Sequence, residues 1–221
     1  MKNWIWVDLL IVVAYGLQHT LLTTKSAVKA YNAILPAYTW NFVYSLFSVF
    51  TLGIGFRCWQ FSGEYIFYLK PGSLLFHLIT TMLALSLFFF FYCFKYTTSF
   101  SQWLGVKQIT TKFLGKKMPA YYRVRKEGVK RYIRFPHHTC LIVLFWTHPV
   151  MTYDTLFLAV AATIYLYLGT YHQDKRGLSL MGQEWVDYQK NTNLLLPGLT
   201  TCKRMFCDLM DKIGKEEKAH S

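Results

Sequence analysis

The chain has 221 residues, enough for one domain, and is 53% hydrophobic and 19% aromatic with 16% charged residues; a soluble domain carries about 25% charged residues. Its net charge is +13, but the excess is concentrated: residues 95–134 hold eleven Lys and Arg and a single acid, Glu127, between apolar runs. That placement argues against a nucleic-acid partner and for a loop facing anionic membrane lipid.

A helix needs roughly 20 apolar residues to cross a ~30 Å hydrocarbon core. Five segments qualify, at about residues 4–22, 38–59, 74–94, 137–152 and 155–171. The first has one lysine before it and no small-residue cleavage site, so it reads as a span and not a signal peptide. The third carries no charge and includes "LFFFFYCF". Pro36, Pro71 and Pro136 precede segments, Pro149 separates the last two, and Pro119 and Pro197 lie in polar stretches. Such places suit a residue that ends or begins helices. Trp4, Trp6, Tyr38, Trp40, Trp59 and Tyr96 gather near segment ends as an aromatic belt.

The fourth segment is short. Twelve residues between Pro136 and Pro149 make only ~18 Å of helix, so it either crosses with a kink or turns back with the fifth as a hairpin. Basic loops alternate with neutral ones: Lys25 and Lys29 lie in the first, Glu64 and Lys70 cancel in the second, the third is strongly positive, and the fourth has only Asp154. The alternation places the N-terminus outside the cytoplasm, and the basic loop and C-terminus inside it.

Past Tyr171, Leu178, Met181, Trp185 and Tyr188 recur at helical spacing, with Lys175, Arg176, Glu184, Asp187 and Lys190 off the stripe. This predicts an amphipathic helix, lying on the membrane or closing a site as a lid. The predicted fold is all-α, a polytopic bundle of about five transmembrane helices with a C-terminal cytoplasmic amphipathic helix. Of the five cysteines, Cys58, Cys93 and Cys140 fall in apolar runs and Cys202 and Cys207 in the tail, without zinc spacing or a disulfide framework.

Three groups of polar residues invite chemistry. Arg134, Pro136, His137 and His138 open the fourth segment, where free N–H groups and a guanidinium would hold an anion; a snorkelling cation beside interfacial histidines is the plainer reading. His172, Gln173 and Asp174 follow the fifth segment and could face the same pocket, or simply mark a helix leaving the membrane. Asp8, Gln18 and His19 lie inside the first span, where polar groups face the bundle interior. His19, like His77 and His148, could bind haem or metal or could be a hydrogen-bonded packing residue. No zinc-protease pair, phosphate loop or serine elbow is present, and no metal ligands are assigned.

The series "GLQHTLL", "LGVKQI", "RYIRFPHH", "FWTHPVMT", "ATIYLYLGTYHQDKRGL" and "MGQEWVDYQKNTNLLLP" resembles integral-membrane methyltransferases of the isoprenylcysteine carboxyl methyltransferase superfamily. Within it, the match is to the branch of methanethiol S-methyltransferase, NnrU and nurim. The resemblance implies a methyltransferase-like domain over residues 1–198, with residues 199–221 as a polar tail. It also implies S-adenosylmethionine enclosed by the last two membrane helices and the helix that follows. The acceptor would be a small or lipid-like thiol, arriving from the bilayer of a bacterial inner membrane or an endoplasmic-reticulum or nuclear-envelope membrane. By the same carry-over Arg134, Pro136, His137, His138, Gln173, Asp174, Trp185 and Tyr188 line the cofactor pocket, and Arg134 and His138 act in catalysis. Family members read Arg-His-Pro-x-Tyr and carry paired glutamates where this chain has Phe135, His138, Gln173 and Asp174. Those departures keep two other readings open, a non-catalytic nurim-like envelope protein and a haem-binding NnrU-type protein.

Overall fold

The computed structural model describes residues 4–96, 99–118, 124 and 126–220, with side chains to residue 211. Pro119 and Arg123 and Arg125 of the basic loop lie outside the described residues. The helices are α1 (Trp4–Leu22), α2 (Lys25–Asn32), α3 (Trp40–Cys58), α4 (Leu74–Tyr96), α5 (Phe100–Trp103), α6 (Val106–Phe113), α7 (Pro136–Trp146), α8 (Tyr153–Met181), α9 (Gln183–Lys190) and α10 (Leu199–His220). Two short strands, β1 (Tyr65–Tyr68) and β2 (Val150–Thr152), pair antiparallel.

Four helical stretches are long and apolar enough to cross a membrane: Trp4–Leu22, Ala37–Cys58, Leu74–Tyr96 and Tyr153–Met181. Their outer faces are bare hydrocarbon, with Leu10, Leu17, Phe50, Phe88 and Leu168 all exposed. Small polar residues turn inward instead; Ser45, Ser48 and Ser86 are buried. Lipid is as apolar as leucine, so packing and small residues, not hydrophobic exclusion, hold such helices together.

The predicted fourth span, residues 137–152, is corrected. It forms the 11-residue α7, only ~16 Å long, followed by the extended β2. Pro149 and the β1 pairing end the helix: Leu69 N donates to Pro149 O at 3.0 Å, and Tyr68 faces Val150. α7 packs chiefly against α4 and α8, so a short helix survives because long neighbours flank it. With the extended stretch after it, α7 carries the chain to the end where β2 meets β1 and α8 begins.

Buried contacts fix the two ends of the bundle. At one end Asp8 of α1 accepts from Gln60 N at 3.0 Å, and Asp154 of α8 accepts from Ser62 N at 3.0 Å, Ser62 Oγ at 2.6 Å and Trp59 Nε1 at 3.3 Å. Asp154 sits in the first turn of α8 behind the Thr152–Thr155 capping box, where a negative charge complements the helix dipole. At the other end residues 132–135 pair with residues 193–194: Asn193 N donates to Tyr132 O at 3.0 Å, and Arg134 N to Asn193 O at 2.8 Å. The chain therefore passes between the ends five times, with α7 as the short pass, and Lys25, Lys29 and the loop after α4 share one end.

α8 has 29 residues, about 43 Å of helix, and so continues about 13 Å beyond a 30 Å hydrocarbon core. The expected break after Tyr171 does not occur there; it comes at Gly182, whose φ of +53° turns the chain into α9. The expected single amphipathic helix is therefore two. Met181 ends α8, Trp185 and Tyr188 lie on α9, and Leu178 is exposed. Residues 199–220, expected as a polar tail, form α10. It is fastened by Arg204 Nη2 to Arg131 O (2.7 Å) and Asn191 O (2.8 Å), and by Asp208 to the Tyr132 hydroxyl (2.5 Å).

Candidate functional site

The site lies where α7 begins, α8 emerges and α9 folds back. Phe135, Trp185, Tyr188 and Leu195 form its buried apolar core, flanked by Val124, Ile142, Met181 and Leu194. The Trp185 ring lies against Gly177; a Cβ there would come within 2.5 Å of it. Glycine is thus needed as a seat for the indole.

Arg134 is 8% exposed and meets Asp174, also 8% exposed, with both guanidinium and carboxylate in bidentate register: Nε to Oδ1 at 2.9 Å and Nη2 to Oδ2 at 3.4 Å. Its Nη1 donates to Thr192 O at 2.5 Å and to Gln189 O at 3.2 Å. Asp174 accepts also from Trp185 Nε1 at 3.2 Å and Gln189 Nε2 at 2.7 Å. The two charges are paired and each is further hydrogen-bonded, the condition for keeping ions away from water. This network clasps the start of α7, the exit of α8, α9 and the turn after it.

Tyr188 donates its hydroxyl to Lys130 O at 2.7 Å, and burial pushes its phenol above the ordinary value of 10.0, with Arg134 lowering and Asp174 raising it to smaller extents. Pro136 is buried at the first position of α7, where its missing N–H costs nothing. His138 is 9% exposed and its Nδ1 lies 2.7 Å from Thr170 Oγ1 of α8. His137 stands beside it, ring centroids 4.3 Å apart, with a buried Nδ1 that has no partner among the described residues.

The structure thus gathers Arg134, Pro136, His137, His138, Asp174, Trp185 and Tyr188. Gln173, one residue along α8 from Asp174, is exposed and stands outside the clasp, as does His172. Sequence reasoning missed Thr170, Gly177, Gln189 and Thr192. Thr170 and Asp174 are four apart on α8, one face of one turn, a spacing that could have flagged the threonine. An open groove of about 400 Å³ adjoins the clasp on its α10 side, lined in part by Arg131, Tyr188, Thr192 and Arg204.

The intramembrane His19 has both ring nitrogens engaged, Nε2 with the Tyr44 hydroxyl at 2.5 Å and Nδ1 with the Tyr165 hydroxyl at 2.8 Å. It ties α1, α3 and α8 together. Gln18 accepts from Thr51 at 2.9 Å, and His77 is exposed on α4. Among the described residues no three His, Cys, Asp or Glu side chains are grouped to hold a metal ion.

The chain is 27% identical to the methanethiol S-methyltransferase of Pseudomonas deceptionensis over 195 residues, 87% of this chain and 72% of that protein. It is 24% identical to methanethiol S-methyltransferase 1 of Bradyrhizobium diazoefficiens over 195 residues, covering 86% of this chain and 66% of that one. The methanethiol S-methyltransferase of Mycobacterium tuberculosis is 20% identical over 197 residues, 86% of this chain and 77% of that protein. No family profile matches the chain, and no solved structure does. These similarities bear out the resemblance to the methanethiol S-methyltransferase branch.

Proposed function

We propose, from the likeness to proteins named for methyl transfer to methanethiol, that this chain is a membrane-embedded, S-adenosylmethionine-dependent S-methyltransferase acting on a small thiol. The observation that carries the proposal is the convergence of Arg134, Asp174, Trp185, His137 and His138, from separated stretches of sequence, at one end of the bundle. The site is half dressed for a ligand. His137 Nδ1 is buried without a partner among the described residues, which is costly unless something else satisfies it.

S-adenosylmethionine brings an electrophilic methyl on a sulfonium, a cationic amine and a carboxylate. The residues present fit such a group. Aromatic faces of Phe135 and Trp185 suit a sulfonium, the Asp174 carboxylate an ammonium, and the Arg134 guanidinium a carboxylate. Positioning the thiol in line with the methyl could then supply much of the rate. The acceptor must be a thiolate, and the positive field of Arg134 or a histidine base would favour that form. The end carrying the basic loop would face the cytoplasm, and the thiol would approach through the bilayer.

One observation favours a second reading, a non-catalytic membrane scaffold: Arg134 and Asp174 are already satisfied by one another and by α9. Of the two histidines behind the haem reading, His19 has both ring nitrogens hydrogen-bonded and His77 is exposed on α4. Calorimetry of S-adenosylmethionine and of its demethylated product on the detergent-purified protein tests the proposal. Micromolar binding, weakened at least tenfold in a folded Arg134→Lys variant, is the expected result. Absence of binding in a folded sample would favour the scaffold.

A further inference from the structure

Resting on the methyltransferase reading, we propose that His138 Nε2 is the base that takes the acceptor's thiol proton, and that Thr170 positions it by fixing the imidazole tautomer. The argument begins with one hydroxyl proton. Thr170 Oγ1 lies 2.6 Å from the carbonyl oxygen of Leu166, one turn back in α8. Two oxygens at that separation need a proton between them, and the carbonyl has none to give. Thr170 therefore donates to Leu166 and has only lone pairs left for His138.

The contact of 2.7 Å between His138 Nδ1 and Thr170 Oγ1 must then carry the imidazole's proton. A neutral ring has one N–H, so Nε2 is left with a lone pair. Among the described residues Nε2 has no hydrogen-bond partner, nor is it one of the sealed, unpartnered polar atoms. It is an acceptor without a partner among the described residues, on a ring that is 9% exposed. Thr170 is fully buried, so water does not compete for its lone pairs. Phe135 stacks on the His138 ring, interplanar angle 8° with centroids 5.9 Å apart, and fixes its plane. Pro136 starts α7 two residues earlier and sets where the ring projects.

The chemistry balances without a further reactant. The thiol S–H bond breaks as its proton passes to Nε2; the sulfur forms a bond to the methyl carbon while the carbon–sulfonium bond breaks, leaving the donor as a neutral thioether. The imidazolium keeps its Nδ1–H bond to Thr170 and releases the Nε2 proton to water as product departs. A base positioned in this way contributes about 100- to 10,000-fold in rate.

The test uses full-length protein in lipid nanodiscs, with S-adenosylmethionine and methanethiol as substrates and ¹⁵N-histidine labelling. His138→Gln identifies the His138 resonances by their loss and is expected to lower kcat at least 100-fold. Thr170→Val is expected to lower kcat about tenfold or more with little change in the KM for S-adenosylmethionine, and to populate the Nε2–H tautomer. Thr170→Ser, which keeps the hydroxyl, should restore both rate and tautomer. A merely structural threonine would not give that rescue or move the tautomer signal. Wild-type protein holding its proton on Nε2, or Thr170→Val turning over at the wild-type rate, overturns the assignment alone. Wild-type protein that binds substrates but transfers no methyl group overturns the functional reading and the base together.

Discussion

Removing either partner of the Arg134–Asp174 clasp should cost far more than removing both. At 2.9 Å and an effective dielectric of about 20, two unit charges attract by roughly 6 kcal/mol. Desolvation of the pair offsets much of that gain, so the net worth of the intact clasp is small. Arg134→Ala, however, leaves a buried carboxylate with only Trp185 and Gln189 as donors, and strips a donor from the carbonyls of Gln189 and Thr192. Breaking one side of such a pair costs about 3–5 kcal/mol. At roughly 2–4 °C per kcal/mol for a chain of this size, Tm should fall by about 6–20 °C. Asp174→Leu should behave alike, and Arg134→Met with Asp174→Leu, which leaves no unpaired buried charge, should cost well under either single variant. Thermal unfolding in detergent, followed by tryptophan fluorescence with Trp185 as one reporter, measures each corner of the cycle. Single variants within 1 kcal/mol of wild type, or effects that simply add, would refute the claim that the two charges form one buried unit.

Gly177→Val should displace the Trp185 indole, because even a Cβ meets its ring at 2.5 Å; a red-shifted emission maximum and a loss of about 2 kcal/mol or more would be expected, and an unchanged spectrum would contradict the packing. Asp154→Ala removes an acceptor from Ser62 N, Ser62 Oγ and Trp59 Nε1 at the far end. It should destabilise by about 2–4 kcal/mol while leaving methyl transfer per folded molecule unchanged, which turnover normalised to folded protein will check. Tyr188 titrates above its ordinary 10.0 because burial disfavours the phenolate. A raised acid pKa gives stability that is complete below pH 10 and is lost as pH climbs above it. Tyr188→Phe should therefore flatten the alkaline fall in Tm, at the expense of about 1 kcal/mol near neutrality for the lost bond to Lys130.

Much of the fold was legible because the bilayer restricts it so severely. Runs such as residues 74–94 had to be helices, since lipid offers no partner for a backbone amide, and the alternation of basic and neutral loops matched the two ends that Asp8, Asp154 and Arg134 define. That Arg134, His138, Asp174, Trp185 and Tyr188 belong together was an expectation that only the family resemblance supplied. What the sequence could not fix was decided by contacts between distant segments. β1 captured residues 150–152 and cut the fourth span to α7, a pairing that local periodicity does not encode. α8 ran on past Tyr171 because helical propensity does not stop at the hydrocarbon edge, and only Gly182 broke it.

The composition and the apolar runs alone determined that this chain is nearly all helix, with stretches long and apolar enough to cross a membrane and a strongly basic segment between them, because burial of backbone among apolar groups leaves few alternatives. Only the tertiary structure decided that Arg134 and Asp174 hold each other, that Gln173 faces outward, and that Thr170 dictates which nitrogen of His138 is bare. Those outcomes depend on hydrogen bonds a few tenths of an ångström either side of 2.8 Å, between residues 4 to 58 positions apart, and proximity of that kind is a property of packing, not of spacing.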